Sequence, residues 1–120
     1  MSDRITIIGA GVWGSALASL TQINGYMPTI WSRSSGDILA DVVRNRVAII
    51  SAVSMSGVDA VIDGLSGQIK PHQIIVTATK GLDAKTNLTP AQLWRKAFPN
   101  NPIVVLSGPN LSLVREWPMG

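Results

Sequence analysis

Short runs of β-branched residues alternate with stretches whose apolar residues recur every three or four positions, and this alternation continues from residue 4 to residue 106. Arg4–Ile8 (R-I-T-I-I) has the continuous apolar character of a strand buried on both faces. A glycine-rich turn, Gly9 to Gly14, follows it. Ser15–Asn24 then places Leu17, Leu20 and Ile23 one turn apart, and Asn24-Gly25 stops the helix. Pro28–Trp31 reads as a second strand. In Asp37–Arg44, Ile38, Leu39, Val42 and Val43 share a stripe, with an acid at the start and a base at the end, as a helix dipole prefers. Val47–Val53 is the third strand.

The next helix is the clearest, with Val58, Val61, Ile62, Leu65 and Ile69 at helical spacing and Asp59 in its first turn. Ile74–Thr79 makes strand four. Thr89-Pro90 opens a last helix with a capping residue and a proline at its first position, and Leu93, Trp94, Ala97 and Phe98 supply the buried face. Pro99 to Pro102 turns the chain into strand five, Ile103–Leu106. Strict β-α alternation with right-handed crossovers predicts an α/β fold, a Rossmann-type doubly wound parallel sheet in strand order 3-2-1-4-5, over residues 1–112.

Composition changes this picture little. The chain has 120 residues, 46% hydrophobic and 14% charged, which suits one globular domain and not a disordered chain. From Ile5 to Ser32 no residue is charged, a length that could span a bilayer. Five helix-interrupting positions, Gly9, Gly11, Gly14, Gly25 and Pro28, divide that stretch into three blocks and favour two buried strands with a helix between them. The net charge of +3 comes from scattered cations and only six aromatics are present, so no nucleic-acid footprint emerges. The chain has no cysteine and one histidine, which removes disulfides and thiolate metal sites and is compatible with the cytoplasm.

In a doubly wound sheet a ligand lies beyond the carboxyl ends of the strands where their order reverses, and the first loop is there. In Gly9-Ala-Gly11-Val12-Trp13-Gly14, Gly9 permits a tight turn, Gly11 clears the backbone for a pyrophosphate, and Gly14 lets helix pack on strand. Placed between strand and helix, the motif favours dinucleotide binding over a plain turn. After Trp31 the chain has Ser32-Arg33-Ser34 where an NAD site would place an acid. Arg33 is either a fork for a ribose 2′-phosphate, which selects NADP(H), or a solvated loop arginine. Lys80 after strand four is either a partner for phosphate or carbonyl or a surface lysine. Trp13 either lies against the cofactor or covers the helix start. His72 reads as a solvated loop residue, and Trp94 and Phe98 as core.

Taken together, Gly9-Ala-Gly-Val-Trp-Gly14-Ser-Ala-Leu-Ala, Trp31-Ser-Arg33, Ala78-Thr-Lys80-Gly-Leu82 and Leu106-Ser-Gly-Pro-Asn110 resemble the successive N-terminal signatures of the bacterial NAD(P)-dependent glycerol-3-phosphate dehydrogenases. The short second crossover and T-A-T-K-G-L-D are most similar to cyanobacterial members. The resemblance covers the first 112 residues, about the first third of a typical member. It implies a cytoplasmic two-domain enzyme that reduces dihydroxyacetone phosphate to sn-glycerol 3-phosphate, a glycerophospholipid precursor, with NADPH or NADH. By resemblance, Trp13 and Arg33 contact NADPH together with Gly9, Gly11, Val12 and Gly14, Lys80 contacts cofactor and substrate, Gly108 and Asn110 lie near the substrate, and Ser112 lies near the cofactor. Asn110 departs from the usual Ser or Thr. The resemblance allows a homodimer in the full-length protein and implies no membrane span.

The family's catalytic lysine belongs to a helical C-terminal domain beyond the last of these motifs, so no catalytic residue is expected in this chain. Residues 113–120 depart from the family pattern and read as a divergent or truncated tail. The chain by itself is expected to be inactive and to expose an apolar face that a companion domain would cover. Another NADP-dependent reductase with a similar first domain, or a non-catalytic nucleotide-binding module, remain the alternatives.

Overall fold

The computed structural model describes residues 3–107 and 112–116. It contains β1 (Arg4–Ile8), α1 (Val12–Ile23), β2 (Met27–Trp31), α2 (Leu39–Val43), β3 (Ala48–Ser51), α3 (Val58–Leu65), β4 (Ile74–Thr77), α4 (Pro90–Ala97), β5 (Ile103–Ser107) and β6 (Ser112–Glu116). A single 3-10 turn, Met55–Gly57, leads into α3. The uncharged stretch from Ile5 to Ser32 is thus β1, α1 and β2, and among the described residues no helix is long and apolar enough to cross a membrane.

The fold is the expected Rossmann-like parallel sheet, but its strand order is a correction. The sheet runs β2-β1-β3-β4-β5-β6, not 3-2-1-4-5. Strand three lies against β1, with Ile5 opposite Ala48 and Ile8 opposite Ser51, instead of outside β2. Two features of the chain impose this. All four residues of β3 are buried, so the strand needs neighbours on both sides. Strand β2 cannot supply an outer neighbour a full ladder. The Met27 N–H donates to the Asp3 carbonyl at 2.9 Å, and the Trp31 carbonyl accepts from Gly9 at 2.7 Å, so alternate residues face β1. Pro28 therefore turns its backbone outward, where it has no N–H to offer. The short α2 crossover returns the chain to the free side of β1. A sixth strand, running from Ser112 into the tail read as divergent, pairs antiparallel with β5 from Ser107↔Ser112 to Ile103↔Glu116.

Helix α1 covers one face of the sheet, where Ile5, Ile7, Leu17, Ala18, Ile50 and Leu106 form a core. Helices α2, α3 and α4 cover the other, around Ile8, Val43, Ile49, Leu65, Ile75 and Trp94. Trp94 is fully buried and stacks on Phe98 with ring centroids 5.8 Å apart, confirming both as core. The start of α4 is capped as its sequence requires: the Gln92 N–H donates to Thr89 Oγ1 at 3.2 Å, and the Thr89 N–H donates to Gln92 Oε1 at 2.8 Å.

A buried glutamine ties the opposite end of the sheet. Gln73 Nε2 donates to the carbonyls of Val43 and Arg46, both at 2.9 Å, and its Oε1 accepts from the Lys70 N–H at 2.8 Å. Replacing Gln73 with Leu keeps the volume but strands these groups. The expected loss is about 1–3 kcal/mol for each buried group left unpaired, measured by urea unfolding of Gln73→Leu against the parent chain.

Candidate functional site

The reversal of strand order falls between β1 and β3, since the chain passes outward from β1 to β2 and then crosses to the other side of β1. Beyond the carboxyl ends of these strands lies a cleft of about 490 Å³. Its floor is the glycine loop, and Gly9 and Gly11 line it directly.

The loop is built by two close approaches. Gly9 has φ +118°, and a Cβ there would lie 2.9 Å from the Ala52 carbonyl oxygen. A Cβ on Gly14 would lie 1.9 Å from the Gly9 carbonyl oxygen, so the helix start rests on the loop with no room for a methyl group. Gly11 differs: its φ of −71° is ordinary, and a Cβ would meet nothing within 4 Å. It precedes α1, whose start has no side-chain cap and no acid in its first turn. The first intrahelical bond is donated by the Ser15 N–H to the Gly11 carbonyl at 2.9 Å. The preceding N–H groups have no intrahelical partner and carry the positive end of the dipole, an arrangement suited to an anion.

The second wall is the turn after β2. Trp31, Ser32 and Arg33 line the cleft. The Ser35 hydroxyl donates to the Ser32 carbonyl at 2.7 Å, and the hydroxyls of Ser32 and Ser34 lie 3.2 Å apart, which closes the turn on itself. Trp31 Nε1 donates to the Asp37 carbonyl at 2.8 Å and anchors the turn from below. Arg33 is left exposed at the tip, and among the described residues it forms no ion pair. A guanidinium with no acid beside it is open to an anionic ligand.

The third wall was not foreseen from sequence. Ala52, Val53 and Ser54 after β3, with Ser56, Gly57 and Ala60 at the start of α3, complete the cleft. An order with strand three outside β2 would have carried this segment away. The outward-facing Pro28 is the signal that could have located it.

Other expected positions fall elsewhere. Val12 is almost fully exposed beside the loop, Gly14 is buried beneath it, and Trp13 packs half-buried against the α1-face core. None of these three lines the cleft. Lys80 is exposed and borders a separate hollow of about 280 Å³ with Thr77, Thr79, Gly81 and Thr89. The two hollows are linked, since Thr79 Oγ1 donates to the Val53 carbonyl at 2.6 Å. The loop beyond Lys80 is held by Asp83, whose carboxylate accepts from the Thr86 hydroxyl at 2.7 Å and the Thr86 N–H at 3.0 Å. The hydroxyl bond is the main reason its pKa is lowered from the usual carboxylate value. Gly108 and Asn110 lie outside the described residues, and Ser112 begins β6.

The glycine contacts separate two kinds of requirement. Gly14→Ala is expected to destabilise the chain by about 1–3 kcal/mol through overpacking. Gly11→Ala is expected to change stability by less than about 0.5 kcal/mol. Paired thermal and urea melts of the two variants check this.

Comparison with known proteins agrees with this geometry. The model of the family described as NAD-dependent glycerol-3-phosphate dehydrogenase N-terminus matches residues 4–47 and 35–113. A glycerol-3-phosphate dehydrogenase (NAD(P)+) of a Synechococcus species is 50% identical over 111 residues, covering 92% of this chain and 35% of the relative. Its counterpart in Trichormus variabilis is 48% identical over 109 residues, covering 90% and 36%. The chain therefore spans about a third of the length of these relatives. Among solved structures, glycerol-3-phosphate dehydrogenase from Coxiella burnetii superposes with a TM-score of 0.80 at 24% identity, over 92% of this chain and 42% of that one. At that identity the likeness speaks for the fold.

Proposed function

Because the chain belongs to the NAD-dependent glycerol-3-phosphate dehydrogenase family, we propose that it forms the nucleotide-binding part of an enzyme interconverting dihydroxyacetone phosphate and sn-glycerol 3-phosphate. The observation that carries the reading is one cleft holding both bare glycine backbone at an uncapped helix start and an arginine that forms no ion pair among the described residues. The donors suit a dinucleotide: Gly11 and the first N–H groups of α1 take the diphosphate, and Arg33 takes a phosphate on the adenosine ribose. NADP(H) is favoured over NAD(H) because position 33 offers a cation where a free ribose hydroxyl would be matched by a carboxylate.

The cofactor supplies the hydride that reduces the ketone carbon. This chain's residues bind and orient. Gly9 and Gly14 fix the loop, Val12 and Trp13 contribute backbone N–H groups at the helix start, and Lys80 reaches from the adjoining rim toward cofactor and substrate phosphate. Gly108 and Asn110 are assigned to the substrate and Ser112 to the cofactor on the family resemblance alone. The proton donor is assigned to the portion of the relatives that this chain does not match. A cytoplasmic setting, a small-molecule substrate without nucleic acid, and a homodimer of the full-length enzyme fit the same reading.

Isothermal titration of the chain with NADPH and NADH tests the proposal. Arg33→Ala is expected to weaken NADPH by roughly ten- to a hundredfold, about 1.5–3 kcal/mol for a charge-assisted contact, and to leave NADH unchanged. Equal loss for both, or no nucleotide binding by the parent chain, contradicts it. A second assay follows absorbance of NADPH with dihydroxyacetone phosphate present: the chain alone is expected to bind without turnover, and steady oxidation above a no-protein control would refute that part.

A further inference from the structure

Gly57 is a glycine that the fold does not require. Its φ of −94° and ψ of −7° lie in the right-handed region open to every residue. Although it immediately precedes α3, these dihedrals are helical, not the extended ones for which helix caps select their residues. A Cβ there would meet Val53 Cβ at 3.5 Å, Val53 Cγ2 at 3.6 Å and Ser54 Oγ at 3.9 Å, all ordinary contacts. Gly9 and Gly14 are different, because each would drive a Cβ into a carbonyl. Gly57 lines the cleft together with Val53 and Ser54, the two residues its missing side chain would touch, and with Ala60 one turn further on. The start of α3 therefore sets the bare backbone of Gly57 and the methyl group of Ala60, between Ser56 and Val61, against the space that Arg33 also borders.

We infer that Gly57, backed by Ala60, is a specificity-determining position that keeps the α3 wall bare so that the flat base of an adenine nucleotide can lie against it. The inference rests on the dinucleotide reading above. A purine face is apolar and gains from burial against carbon. The base belongs at this end of the cleft because the turn after β2, which carries Arg33, is here, whereas Lys80 borders the other hollow. A side chain at 57 would grow between Val53 and Ser54 into the volume the base needs. The energy of the fold would not register it.

The test is a size series, Gly57→Ala, Gly57→Val and Gly57→Leu, titrated with NADPH and with 2′,5′-ADP, which is the adenosine half alone. Melting temperatures are taken without ligand. Affinities for both nucleotides are expected to fall together as the side chain grows, by about tenfold or more at leucine, with melting temperatures held or raised. If Gly57→Leu binds 2′,5′-ADP as tightly as the parent, the inference is overturned while the dinucleotide reading stands. If the parent binds neither nucleotide, the reading beneath it fails and the inference with it. Should the leucine variant not fold, undiminished affinity across parent, alanine and valine overturns the inference equally.

Discussion

A hydrogen atom on Gly14 occupies the place where any other residue would push a methyl group to within 1.9 Å of a carbonyl oxygen. That contact sets the distance between the first helix and the loop beneath it. Gly9, on the other side of the contact, donates its N–H to Trp31 at the end of β2 and lies under the Ala52 carbonyl just past β3. One residue thus joins the ends of three strands to a helix start. The cleft is what remains above that junction, and its walls are the continuations of the same three strands.

Electrostatics follow from the same arrangement. The uncapped helix start and Arg33, which forms no ion pair among the described residues, set two positive ends on neighbouring loops, where they repel. Both border one cavity, and the segment after β2 uses its serine hydroxyls on its own turn. Through the Thr79 to Val53 bond the wall after β3 is tied to the loop bearing Lys80, so the two hollows rest on one framework.

Much of this was legible in the residues. Hydrophobic period separated strands from helices, and Thr89-Pro90 marked the start of α4 because capping chemistry is local. The boundaries drifted where local signals were weak: α2 is Leu39–Val43 instead of Asp37–Arg44, and α1 begins at Val12, inside the glycine loop. The order of strands is a non-local property, and alternation alone does not contain it. The information lay in the parity of β2, where Pro28 falls on the side facing away from β1. Missing that parity also hid the wall formed by Ser54, Ser56 and Gly57. Gly9, Gly11 and Arg33, each singled out for a specific chemical need, border one cleft, whereas Lys80 borders a neighbouring hollow, and Gly108 and Asn110 lie outside the described residues.

The outward proline has a consequence for the molecule among its neighbours. A terminal strand normally exposes a row of donors and acceptors that another chain can use as a template. In β2 the row is broken at its second residue, so self-association by sheet extension is discouraged on the side where the arginine-bearing turn must stay accessible. The same imino acid that ends the sheet keeps the approach to the cleft clear.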